Sequence, residues 1–450
     1  MPENPIPRWP RFAVLLALLI AASMTYYHLG VFIPHAMEGR AAKGLDGGYS
    51  FGNDFYPIWL TSREALYEHR NPYSPETTRE IQTGLFGHAL DGRNPLDLPS
   101  DYRAFAYPAY VDLMFWPVAW LPFPAVRIVL ALTFAALTAL SVPLWLRALG
   151  YHPRASLVVI LILLALSSYA VLEGLFAVQV GLLVGFLLAA SFAALMRGKL
   201  FLAGSLIAFT FIKPQVSALV AVYLLLWSFS RWHERRSFTY GLLAWSGLLG
   251  GLSVLVWPLW IPQWLHVLSG YGSYAPPPLI TYSLGPRLGP TLGPVLIVAL
   301  LMAALILMWR MRSYSAASPA FMLTVSLLFA LTSITLLPGQ AVYDHVILLP
   351  GILLTVWEWR RLAASSRAFA VVLAAAALAL FWQWIIVVPL LAIWLFETPQ
   401  TFFANGLWLL PFHAAASVPL AIAAVLGFMM WEAMRDDPVL RRKEVSKEIP

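Results

Sequence analysis

No cysteine occurs anywhere in the 450 residues, which excludes disulfide scaffolds, thiolate metal centres and cysteine nucleophiles. Charge is scarce as well. Asp, Glu, Lys and Arg together make up 11% of the chain, against about a quarter in an average soluble protein, and that shortage excludes an ordinary cytosolic enzyme. Gly-rich phosphate loops of the Walker type, Gly-x-Gly-x-x-Gly turns and His-Glu-x-x-His pairs are all missing. Their absence argues against a cytosolic nucleotide-binding domain, an ATP-driven pump and a zinc protease. The net charge of +7 does not indicate a nucleic-acid partner, because the basic residues fall in short clusters between apolar runs, the pattern of membrane topology. No internal repeat is visible.

What is abundant is apolar surface: 60% hydrophobic residues and a mean hydropathy of +0.73. A hydrocarbon core about 30 Å thick takes roughly 20 apolar residues per helix. The sequence offers such runs near 12–33, 105–123, 124–146, 155–173, 176–196, 200–229, 240–259, 293–310, 319–337, 343–358, 368–395 and 407–431. Spanning backbone must satisfy its own hydrogen bonds, so an all-α polytopic membrane protein of about 12 helices is expected. The first run continues through Tyr26, Tyr27, Val31 and Phe32 and reads as an uncleaved anchor. Basic clusters at Arg8 and Arg11, Arg231–Arg236, Arg310–Arg312, Arg360–Arg367 and a tail over 433–450 place both termini in the cytoplasm of a multi-pass plasma-membrane protein. Strict alternation would leave Arg147, Arg154, Arg197 and Lys199 outside. A re-entrant 105–123 and a hairpin of half-helices broken at Pro214 would bring them inside, and the sequence does not choose. Residues 1–432 read as one transmembrane domain.

The stretch 34–104 holds 17 of the charged residues in 71 positions, the one soluble-like insert, and is expected on the outer face with 260–292 and 338–345. Within it Phe55, Ile58, Trp59, Ser62, Leu66 and His69 recur at helical spacing, with Thr61, Arg63, Glu64 and Glu68 opposite, the pattern of an interfacial amphipathic helix. Asn71-Pro72 ends that helix, and Ser74-Pro75 opens another with Ser74 as its cap. Trp116, Trp120, Trp257, Trp260, Trp264, Trp382 and Trp384 read mainly as interfacial belt residues.

Few polar side chains remain to carry chemistry. Asp54, in Gly52-Asn53-Asp54-Phe55-Tyr56, has an ordinary reading as a helix N-cap and a functional one as a general base on a hydroxyl acceptor. Lys213, in Phe211-Ile212-Lys213-Pro214-Gln215, lies inside an apolar run of about 30 residues; it either snorkels to the interface or serves as counter-charge to a lipid-linked phosphate. Glu173 and Gln179 read as polar links between spans. Asp344 and His345 open an apolar helix, where an acid suits the helix dipole and an imidazole can donate to phosphate. Arg287 follows Tyr282-Ser283-Leu284-Gly285-Pro286 and pairs with phosphate or with a lipid headgroup.

Asn53-Asp54-Phe55-Tyr56, Asn71-Pro72-Tyr73, Phe105-Ala106-Tyr107-Pro108, Lys213-Pro214-Gln215 and Tyr343-Asp344-His345, in this order, resemble the strings of the polyprenol-phosphate-mannose-dependent mannosyltransferases, glycosyltransferase family 87 of the GT-C superfamily. The resemblance implies a GT-C-like helical bundle with a large first outer loop carrying interfacial helices. It implies transfer, with inversion, of a hexose such as mannose from a polyprenyl-phosphate donor to a glycolipid, glycan or protein acceptor on the outer face, with no cofactor or metal. Asp54 would be the base; Lys213, His345, Arg287, Asp344, Tyr56 and Tyr107 would line the substrate site. A secondary transporter or lipid flippase is the alternative on span count, although one break at Pro214 and no repeat fit it less well.

Overall fold

The computed structural model of the chain describes residues 11–42, 49–91, 93–94, 97, 102–272 and 274–436. Arg8 and the tail beyond Asp436 lie outside the described residues. Among those described the chain is helical without a strand; one isolated bridge joins Pro278 to Pro338. Six helices are long and apolar enough to cross a membrane: Phe12–Ala41, Phe123–Ala148, Trp232–Val256, Leu292–Met311, Arg367–Phe396 and Leu407–Arg435. A bent pair, Ala155–Leu166 and Tyr169–Ala177, would add a seventh across a 58° kink.

The expectation of twelve full-length spans is therefore not matched helix for helix. The segment expected at 105–123 is a helix only over Tyr110–Ala119, about 15 Å at 1.5 Å per residue, too short to cross. The run at 200–229 divides into Leu200–Thr210 and Pro214–Ser230, because Pro214 supplies no N–H and sits at the first turn of the second helix. Pro319–Thr335 is 17 residues long, and every side chain from Phe321 to Thr335 is buried. A helix wrapped by protein has no bilayer thickness to match, so packing and the site set its ends.

Contacts sort the connecting segments into two ends of the bundle. At one end Tyr151 stacks on Trp357, ring centroids 4.2 Å apart, and Trp145 meets Phe192 at 5.3 Å. Phe321 packs against Tyr223 and Trp227 there. Arg235, buried, donates to the carbonyls of Trp227, Arg312 and Tyr314, which satisfies helix C-terminal acceptors that would otherwise be orphaned. Arg361 lies 3.6 Å from Glu432. The clusters at Arg231–Arg236, Arg310–Arg312 and Arg360–Arg361 thus gather at one end, with Arg147 and Arg154 flanking Tyr151 and with Arg197 and Lys199 following Phe192. This is the grouping of the re-entrant and hairpin reading. At the other end the Gly339 N–H donates to the Pro277 carbonyl at 3.0 Å, Asn71 Nδ2 donates to Gln263 Oε1 at 3.0 Å, and Tyr102 packs on Tyr274. The three segments expected on one face do converge.

The helix Tyr56–Glu68 exists but is not a simple surface helix. Thr61 and Glu64, assigned to its polar face, are buried, whereas His69 is exposed at its left-handed C-cap. Thr61 Oγ1 donates to Asp112 Oδ1 at 2.7 Å, and Glu64 accepts from Thr77 at 3.3 Å, so both polar groups are matched by partners on neighbouring helices instead of by water. Ser74 caps Pro75–Phe86 as expected, accepting the Thr77 N–H at 3.1 Å. The tryptophan expectation is corrected in part. Trp116 and Trp120 are exposed, but Trp257, Trp260 and Trp384 are buried; half-buried Trp264 and buried Trp384 donate to Ala106 O and Ser167 Oγ, whereas the buried Trp260 Nε1 has no partner.

Candidate active site

Asp54 does not cap the helix that follows it. The residue before Tyr56–Glu68 is Phe55, with no side-chain cap, and the Asp54 carboxylate points elsewhere. Oδ1 receives Arg103 Nη1 at 2.6 Å and Oδ2 receives Gln179 Nε2 at 2.8 Å. The turn carrying Asp54 is pinned from beneath by the Gly52 N–H, which donates to Phe176 O at 2.8 Å. Gly52 has φ +84°, and a Cβ there would come within 3.0 Å of Arg127 Cβ and 3.1 Å of Phe123 Cζ. Only glycine combines that backbone with that approach.

Gln179 is delivered by another unusual backbone. Val178, between Tyr169–Ala177 and Gly181–Met196, is buried with φ 52° and ψ 52°, a left-handed conformation that a β-branched residue seldom adopts. Such strain persists where surrounding packing imposes it and tends to mark functional sites. Here it reverses the chain so that Gln179 faces Asp54 while Gly181 opens the next helix.

Lys213 is buried and does not snorkel. Its Nζ is 2.8 Å from both Asp344 oxygens and 4.7 Å from the centre of the Tyr343 ring. The Asp344 carboxylate fits only because residue 181 is glycine: a Cβ there would be 2.2 Å from Asp344 Oδ1. The two acid–base pairs belong to one site. Asp344 feels the charge of Asp54, and the phenols of Tyr107 and Tyr271 lie in the field of Asp54, Asp344 and Arg103 together. Two carboxylates and two cations sum to zero charge there.

His345 looks the other way. It is buried, its Nε2 has no hydrogen-bond partner, and it lines an almost wholly apolar cavity of about 390 Å³ with Leu161, Tyr169, Leu349 and Trp384. A second apolar cavity of about 240 Å³ shares Val356, Leu380 and Phe381 with the first. Together they line a furrow along Arg367–Phe396 that reaches His345, the residue after Asp344.

Of the residues expected to act together, Asp54, Lys213, Asp344 and Tyr107 share this cluster, and His345 adjoins it. Tyr56 packs instead over Gly84 and against Phe123, ring centroids 4.9 Å apart. The Arg287 side chain lies outside the described residues.

Residues 105–338 match the family described as glycosyltransferase family 87. The chain belongs to that family. The protein is accordingly a membrane glycosyltransferase, and the transporter and flippase readings give way. No curated protein and no solved structure matches the chain. The matched stretch contains Tyr107, Gln179, Gly181, Lys213 and Tyr271, while Asp54 and Arg103 lie before it and Asp344 after it. Sequence reading of this glycosyltransferase missed Arg103 and Tyr271 and treated Gln179 as a structural link. The signal for Gln179 was its place in a short polar gap between two apolar runs; Arg103 is one of many charges in the 34–104 loop and carries no such signal.

Proposed function

We propose that the enzyme transfers a hexose, mannose in the first instance, from a polyprenyl-phosphate donor to a hydroxyl acceptor on the outer face, with inversion. The observation that carries this reading is that His345, which lines the apolar furrow, directly follows Asp344 of the Asp54/Arg103/Lys213/Asp344 cluster. Charge for a phosphate and a dry lining for an isoprenoid chain are thus carried by consecutive residues of one segment. Ligand sites commonly join an apolar wall to a few convergent polar groups in this way.

In this reading the isoprenoid lies in the furrow and the phosphate enters the charged cluster. Asp54 takes the proton of the acceptor hydroxyl as its oxygen bonds to the anomeric carbon. The bond from that carbon to the phosphate oxygen breaks, its electron pair stays on the phosphate, and nearby positive charge stabilises the dianion in a low-dielectric site. Both termini would be cytoplasmic, in the plasma membrane. Among the described residues no three His, Asp or Glu gather as metal ligands, and the proposal assigns the chemistry to side chains alone. The test is incorporation of labelled mannose by purified enzyme given polyprenyl-phosphate mannose or a nucleotide-linked mannose, each with and without EDTA. Transfer from the lipid donor alone, unaffected by chelation, is expected. Transfer from the nucleotide sugar, or dependence on added Mn²⁺ or Mg²⁺, would contradict it.

A further inference from the structure

Resting on that proposed reaction, we infer that Arg103 is an exchangeable ligand: it holds Asp54 in the empty enzyme and moves to the donor's phosphate when the lipid binds, releasing the base. Both cations in the site are held by carboxylates, but not equally. Lys213 meets both oxygens of Asp344, and the two side chains are 8% and 1% exposed. A pair so buried is costly to open, because each partner would be left as an uncompensated charge. The Arg103 contact with Asp54 runs from one nitrogen to one oxygen, with the side chains 20% and 17% exposed. Water and an incoming anion can take over from either partner there.

The backbone points the same way. Arg103 has φ 54°, in the left-handed region that non-glycine residues seldom adopt, and it lies in the irregular segment between residue 102 and the helix at Tyr110. Lys213, by contrast, is the residue directly before a helix that Pro214 opens. A guanidinium matches phosphate with two parallel hydrogen bonds, a fit that an ammonium lacks. Tyr107 and Tyr271 also lie in the field of Arg103 and both acids. The consequence of the exchange is an order of events. Asp54, with both oxygens engaged, is freed only when a phosphate is present, so the base is exposed after the donor has bound. The leaving phosphate gains a negative charge in the reaction while already paired to Arg103, and no other bond is made or broken by the exchange.

The test measures binding of farnesyl phosphate, a lipid phosphate monoester like the leaving group, and of neutral farnesol, to the full-length enzyme in detergent. Arg103→Gln is expected to weaken farnesyl phosphate binding about ten- to a hundredfold, the usual effect of losing a hydrogen-bonded charge, and to leave farnesol unchanged. Asp54→Asn removes the competing negative charge, leaving only a weaker neutral acceptor, and should tighten farnesyl phosphate several-fold, but only where Arg103 is present; the double variant should bind like Arg103→Gln alone. Equal tightening in both backgrounds would mean a general field effect and would overturn the exchange, as would unchanged binding by Arg103→Gln. If Arg103→Gln does not purify, Arg103→Lys keeps the charge without the fork, and the loss should be smaller but in the same direction. Wild-type enzyme that binds farnesyl phosphate no better than farnesol would refute the lipid-phosphate reading itself.

Discussion

Gly181→Ala gives the sharpest structural prediction, because it adds one methyl group to a measured gap. The new Cβ would lie 2.2 Å from Asp344 Oδ1 and 3.7 Å from Lys213 Nζ. Ordinary contact would need Oδ1 to retreat by about 1 Å, and its distance to Lys213 is now 2.8 Å, so a retreat away from Lys213 takes this contact beyond hydrogen-bonding range, and the rigid carboxylate must turn or shift with it. Separating a buried pair costs about 3–5 kcal/mol, well above the roughly 1 kcal/mol that alanine gains over glycine in a helix. A double-mutant cycle in detergent-solubilised protein isolates the effect. Gly181→Ala alone should destabilise strongly, Asp344→Ala alone should do so by a similar amount, and Gly181→Ala added to Asp344→Ala should be close to neutral. An additive cycle, or a Gly181→Ala protein as stable as wild type, would refute the argument that this glycine exists to admit the carboxylate.

Glu64 and Glu80 give a pH prediction. Burial first, then a hydrogen bond and charge from Glu80, push the Glu64 carboxyl up to about 8, while the hydrogen bond from Glu64 holds Glu80 below the ordinary carboxylate range. Glu64 therefore binds its proton more tightly folded than unfolded. Its contribution is complete below the ordinary carboxyl range and fades as the pH climbs toward 8. Hydrogen exchange over 56–86 should rise across that interval, and Glu64→Gln should flatten the dependence; equal slopes in both proteins would contradict it. Sidedness can be read by cysteine labelling in a chain with no native cysteine. Gly339 is unsuitable, because a side chain there would strike the Tyr282 ring at 2.5 Å. Ser50→Cys and Gln340→Cys should react with an impermeant reagent in intact cells and Lys199→Cys only after permeabilisation, and any other grouping would refute the shared outer face.

The helical class was legible because it follows from composition and apolar run length. The cap at Ser74 was legible because its contacts are local, i to i+3. Helix lengths were not, since Pro319–Thr335 and Gly181–Met196 end where neighbours and the site require. Within the site, Asp54 and Lys213 stood out as isolated polar residues beside Gly, Pro or aromatic strings. Their partners did not. Arg103 pairs with Asp54 across 49 positions and Lys213 with Asp344 across 131, separations that only the fold connects. The cap reading of Asp54 failed for a related reason: a local backbone partner was outcompeted by a charged one brought in from another segment.

The central claim is that Asp54 is the general base of a transfer from lipid-linked sugar, and transfer by purified Asp54→Asn measures it most directly. The amide keeps the size of the side chain and can still accept from Arg103, yet it cannot take the acceptor's proton. General-base catalysis contributes about 10²- to 10⁴-fold. A folded, correctly inserted Asp54→Asn enzyme should therefore transfer mannose from polyprenyl-phosphate mannose slower than wild type by roughly that factor. Transfer by that variant at close to the wild-type rate would contradict the account.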